Sequence, residues 1–177
     1  SAGSFSFSIG DYSGPLMLQA SGGSYVDEAT GSPMTVQAGD LMAAAVPAVA
    51  AGAATTGIQI TPLTSMAQAR AQYMAGGMTA ANATAANGSV GGYFLVGDIL
   101  TTPPMDPAAA GSGAGASADA RYHGMAIAAM SRYAASMGMT VSSSGMVTAM
   151  MQDAADGVMN GMMGATTITM TGMGGGM

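Results

Sequence analysis

The side chains with the most reactive potential are the single histidine, His123, and an unusual number of methionines, 20 in 177 residues. Thioethers are soft ligands that suit Cu(I). Met137 with Met139, and Met170 with Met173 and Met177, have the short spacings such a site needs, and His123 could add a nitrogen. The competing reading is that methionine fills the core, where its flexible side chain packs adaptably. Most of the methionines fall at helical core spacing, so no metal is favoured and copper stands as the alternative. Oxygen ligands for Ca²⁺ are sparser: Asp27-Glu28 sits where a turn wants acidic residues anyway, and Asp153 with Asp156 matches no calcium loop. Serine is abundant, but there is no GxSxG elbow to make a nucleophile of one. His123, beside Tyr122 in a helical stretch, reads as a surface or boundary residue, and Arg121 with Asp119 as a structural ion pair. The terminal glycines are followed by neither a helix nor a lysine, so they form no phosphate loop. The expected class is therefore non-enzymatic.

Self-association is better supported by the pattern. Phe5, Phe7 and Ile9 alternate with serine at one end, and Ile168 and Met170 alternate with threonine at the other. Alternation of this kind marks a half-buried strand, which needs an edge to pair with. That edge belongs either to its own sheet or to the next subunit, as in donor-strand exchange. A head-to-tail contact of the second kind grows a filament. The expected subunit-interface residues are Phe5, Phe7, Ile9, Ile168 and Met170.

The elements that must position these residues change character along the chain. Segments 4–9, 15–20, 24–26, 34–36, 41–49 and 56–60 read as six short strands separated by turn residues. They predict an antiparallel, sandwich-like N-terminal segment over residues 1–60. The period then becomes helical. Thr61 caps and Pro62 starts a first helix that Gly76-Gly77 ends. Thr79 starts a second, poorer helix reaching about Val90. The run 91–100 is apolar, and 108–116 is a low-complexity loop. Ser117 opens a third helix that Gly138 closes, and Ser142–Ser144 cap a fourth. A closing strand over 166–171 and a Gly/Met tail complete an α+β plan: a β-rich segment 1–60, a helical segment 61–164 and a C-terminal strand and tail 165–177, in one unit.

Composition narrows the setting. Charged residues are only 7%, the net charge is −6, there is no lysine, and Arg70, Arg121 and Arg132 are the only basic side chains besides histidine. Nucleic-acid binding requires clustered Lys/Arg, so it is not expected. No apolar run approaches the ~20 residues of a membrane-spanning helix, so membrane insertion is not expected either. Absence of cysteine removes disulfides and thiolate metal sites. A surface so poor in charge, without lysines to guard strand edges, tends to associate. The absence of lysine, the near-absence of arginine, and an opening at Ser1 rather than Met fit a processed protein at the cell surface or outside it.

Several pieces occur in a specific order: Gly14-Pro15-Leu16; Gly22 to Gly31 (GGSYVDEATG); Ile60-Thr61-Pro62-Leu63-Thr64; Thr79 to Asn87 (TAANATAAN); Gly97-Asp98-Ile99-Leu100; Pro104-Met105-Asp106; and Ala118 to Gly124 (ADARYHG). Over roughly residues 14–135 this order resembles an Ig-like β plus helical module of large secreted bacterial surface proteins and lipoproteins. The resemblance implies an extracellular, structural or adhesive role and supplies no catalytic residue. The chain departs from it by carrying Met where such modules carry Leu or Val. The expected function is a self-assembling, pilus-like filament subunit. The alternatives are a Met-rich extracellular copper-binding protein and an adhesin module.

Overall fold

A computed structural model describes residues 3–139 and 143–170. In chain order the elements are β1 (Gly14–Ser21), β2 (Ser24–Val26), β3 (Pro33–Thr35), β4 (Leu41–Val49), α1 (Pro62–Tyr73), α2 (Ala80–Phe94), α3 (Ala118–Ser136), α4 (Ser144–Ala155), β5 (Met162–Met163) and β6 (Thr166–Thr167). The class is α+β, with three separate antiparallel pairs among the described residues: β1 with β4, β2 with β3, and β5 with β6.

Helix α1 is the hub, packed against α2, α4 and β4. Its start is fixed by a reciprocal cap: Thr61 Oγ1 accepts the Thr64 N–H, and Thr64 Oγ1 accepts the Thr61 N–H. Pro62 sits at the first helical position, where its missing N–H costs nothing. The helix is buried almost all round through its first two turns, Leu63 and Met66 completely. Burying each such side chain stabilises the fold by about 1.5–3 kcal/mol. Alanines at 45, 67, 71, 83, 86 and 154 let β4, α2 and α4 approach it closely. The strand residue Ala45 thus shares one core with the helices, and no boundary at residue 60 separates the two halves of that core.

The expected six-stranded sandwich is replaced by smaller pairs. Segments 4–9 and 56–60 have the alternation but no ladder; Gln59 N–H donates to Leu100 C=O instead. Ile58 and Ile60 pack as loop residues on the cluster formed by Leu18, Ala44, Val46 and Val49. The closing strand is likewise reduced to the hairpin of β5 and β6, and Ile168 to Met170 lie outside it. Helix α2 runs four residues beyond the expected end, to Phe94. Gly91 is not a breaker there. It leaves room for the Val96 carbonyl, which a Cβ at that position would meet at 2.5 Å.

Candidate functional site

Backbone hydrogen bonding distinguishes the two edges of the β1–β4 pair. On the β4 side the Ala43 N–H donates to Ser65 Oγ at 2.9 Å, and the Ala43 carbonyl accepts from Thr64 Oγ1 at 2.9 Å. The Ala45 carbonyl accepts from Asn87 Nδ2, also at 2.9 Å. That edge is closed by side chains of α1 and α2. Ala43 and Ala45 therefore direct their main-chain groups away from β1. Their cross-strand partners Gln19 and Met17 must do the mirror of this, because paired residues of an antiparallel ladder alternate between bonded and non-bonded positions. The N–H and C=O groups of Met17 and Gln19 thus point outward along β1. Among the described residues no strand lies beyond them.

The N-terminal segment leading to β1 has the complementary property. Residues 4–9 join no ladder, with Phe5 50% and Phe7 59% exposed. Their rings stack on each other at 6.2 Å between centroids. Of the expected interface residues, Ile9 is already used at home, half-buried against the Leu18–Val46 cluster. Ile168 and Met170 are also half-buried within the subunit. Met170 rests on Ala134, Met139 and Met146, and the Ile168 N–H donates to Gly161 C=O at 3.0 Å. Of the five expected interface residues, Phe5 and Phe7 are the ones left open to solvent.

At the end of β1, on the face carrying Leu18 and Ala20, lies a cavity of about 220 Å³ lined by Met42, Ile60, Ile127, Met130 and Met146 among others. Its polar wall includes Glu28, Ser131, Ser143 and Ser144, and these serines belong to a clamp behind it that sequence reasoning does not identify. Asp27, almost fully buried, accepts from Ser131 Oγ of α3 and from Ser143 Oγ at 3.1 Å, the residue that precedes α4. Its other oxygen accepts from Thr30 N–H and Oγ1 at 3.1 and 2.9 Å. Burial alone would raise the Asp27 pKa, but the hydrogen bonds from Ser131, Thr30 and Ser143 outweigh it and hold the carboxyl below its ordinary value. Asp40 repeats the device one step along, accepting from Ser144 Oγ at 2.5 Å and Thr148 Oγ1 at 2.7 Å. Two carboxylates from the β segment thus meet the first turn of α4, where the helix dipole favours negative charge.

The candidate metal ligands are divided. Met139 is buried in a cluster with Met146, and Met150 and Met170 pack against it. Met137 is exposed at the end of α3, and Met173 and Met177 lie outside the described residues. His123 is far more buried than a boundary residue, with no exposed surface. Its Nε2 is 3.1 Å from Thr61 Oγ1 and its Nδ1 is 3.0 Å from the Thr102 carbonyl, so both ring nitrogens are engaged. Asp119 accepts the Gly97 N–H at 2.8 Å, and Arg121 reaches the Gly113 carbonyl at 3.5 Å, so each has a backbone partner in place of the expected mutual ion pair.

Burial lowers the His123 pKa, partly offset by the bond to Thr102. Folding thus favours the neutral ring. Stability contributed by this group is therefore complete above the ordinary histidine value and falls as pH drops below about 6.5. Melting curves across that range are expected to decline toward acid, and His123→Gln is expected to remove this part of the slope; an unchanged slope in the variant would contradict the assignment.

Comparison with protein families, curated proteins and solved structures finds no match.

Proposed function

We propose that this chain is an extracellular structural subunit that assembles into filaments by donating its N-terminal segment to the sheet of the next copy. The observation that carries this reading is the match between an open strand edge and an unladdered segment of alternating sequence. Main-chain groups of Met17 and Gln19 line the edge, and segment 4–9 presents Phe5 and Phe7 on one side. Strand addition supplies affinity through the main chain and selectivity through pockets for alternate side chains. A phenyl ring is the right size for the cavity beside β1: about 150 Å³ suffices to hold benzene, and this one is about 220 Å³. The segment carries no charged side chain, so docking desolvates no ion of its own. Since Ile9 is committed to its own subunit, it serves as the hinge point rather than as a third inserted side chain.

Replacing Phe5 and Phe7 together by serine is expected to leave the monomer folded and to abolish filaments under the electron microscope. Filaments of unchanged width and yield from that variant would sink the proposal.

A second reading, a Cu(I) site of thioethers, is favoured by the gathering of Met139, Met146, Met150 and Met170. A competition titration with a Cu(I) chelator tests it: retention of Cu(I) by the protein that is lost in Met139→Leu/Met146→Leu supports the reading, and complete capture by the chelator removes it.

A further inference from the structure

On the opposite face of β1, an open groove of about 410 Å³ runs between β1, α1, α4 and β5, within the roughly 300–1,000 Å³ typical of small-molecule sites. Its lining is chemically distinctive. The chain has six glutamines, and four of them, Gln19, Gln68, Gln72 and Gln152, converge here from three different elements. They are joined by Tyr73, 53% exposed, and Thr148. No charged side chain lines the groove among the described residues.

Gln68 forms the floor and is 3% exposed. Its Nε2 donates to Gln72 Oε1 at 2.7 Å and lies 3.1 Å from Met17 Sδ. Gln68 is among the residues that line the groove. A reachable amide oxygen beside Gln72 and Gln152 can accept a hydrogen bond from a ligand hydroxyl.

Carboxamides offer donors and acceptors fixed in one plane, which suits vicinal hydroxyls. An exposed phenol ring offers a flat apolar surface beside a polar tip. The absence of cations disfavours phosphates and carboxylates, and the absence of anions disfavours amines. We propose that this groove binds a neutral saccharide, with Tyr73 packing on the C–H face of a sugar ring and Gln68, Gln72 and Gln152 hydrogen-bonding its hydroxyls. The side chains proposed to bind the sugar, Gln68, Gln72, Gln152 and Tyr73, are not ones that strand donation uses; Gln19 is shared, its side chain lining the groove and its main chain the open edge of β1.

Saturation-transfer NMR on the full chain tests the proposal, with chitotetraose, cellotetraose and maltotetraose as neutral probes and sialyllactose as the acidic one. At least one neutral probe is expected to bind with Kd of about 1 mM or tighter. Gln72→Ala and Tyr73→Ala, both at exposed positions and expected to leave the circular dichroism spectrum unchanged, are each expected to weaken it by about tenfold. Absence of transfer to all three neutral probes, binding of sialyllactose alone, or binding unaffected by the combined Gln72→Ala/Tyr73→Ala/Gln152→Ala variant would each overturn it.

Discussion

Gly124→Ala is expected to destabilise the chain by about 3 kcal/mol, the upper end of ordinary overpacking, which for a chain of this size lowers the melting midpoint by about 6–12 °C. The reason is a backbone contact. A Cβ at Gly124 in the middle of α3 would stand 1.9 Å from the Met105 carbonyl oxygen. The loop there has little room to retreat, because the Met105 N–H is tied to the Ala120 carbonyl on the same helix at 2.9 Å. The same substitution at Gly88 supplies the contrast. Gly88 is an exposed residue within α2, and a methyl added there would meet nothing within 4 Å, so alanine should stabilise by about 1 kcal/mol through helix propensity alone. Thermal denaturation of the two variants beside the parent reads both signs. Equal behaviour at the two positions would mean that Met105 does not pack on α3.

Asp27→Ala is expected to cost about 3 kcal/mol or more, since it leaves the hydroxyls of Ser131 and Ser143 and the Thr30 N–H without their acceptor. The loss should be seen as detachment of the β2–β3 hairpin from α3 and α4, with faster amide exchange across residues 24–35. It also has a pH signature. The folded-state pKa of Asp27 is lowered, so its contribution is complete above the ordinary aspartate value and is lost as pH falls through the folded one. Asp98, held below its ordinary value by Thr101 and Leu100 against the opposing effect of burial, acts in the same direction. Glu28 acts oppositely. Burial raises its pKa, so its protonation as pH falls relieves a cost. Urea midpoints measured from neutral pH into acid should therefore fall less steeply in Asp27→Ala than in the parent. Parallel curves would show that the carboxylate is not the clamp.

Local rules make the helices legible and fail for the strands. Thr61-Pro62 and Ser117 announce helix starts because capping is chemistry between near neighbours, and both side chains cap as expected. Alternation in 4–9 and 56–60 states only that a segment has two faces. Whether it joins a ladder depends on an edge elsewhere in the chain, and β4 gives its outer edge to Ser65, Thr64 and Asn87. Gly91 stands just past the end expected for α2, whereas it serves close packing inside that helix. Asp27 reads as a turn residue, and it does hold the turn through Thr30. Its bonds to Ser131 and Ser143, more than a hundred residues away, leave no local trace. Gln68 and Gln72 lie one turn apart on a single helix, a spacing that places them on one face; that is the signal in the sequence for the groove. Gln19 and Gln152 join them only through the tertiary fold.

The segments 22–31, 60–64, 79–87, 97–100 and 118–124, quoted above as resembling pieces, also supply polar contacts of this fold. Asp27, Thr61, Asn82, Asn87, Asp98 and His123 all belong to the resembling pieces. Each one caps a helix or turn, or ties loops and elements together through hydrogen bonds. They are the polar fasteners of a scaffold whose apolar side chains are otherwise small or flexible.

Electron microscopy of the purified chain beside its Gln19→Pro variant decides whether the open edge of β1 drives assembly. Proline at Gln19 removes an N–H from that edge without removing a ladder bond to β4, as edge strands permit. Filaments of constant width are expected from the parent, and folded, monodisperse monomers from the variant. Monodisperse particles from the parent, or filaments of the same width from Gln19→Pro, would contradict assembly by strand donation.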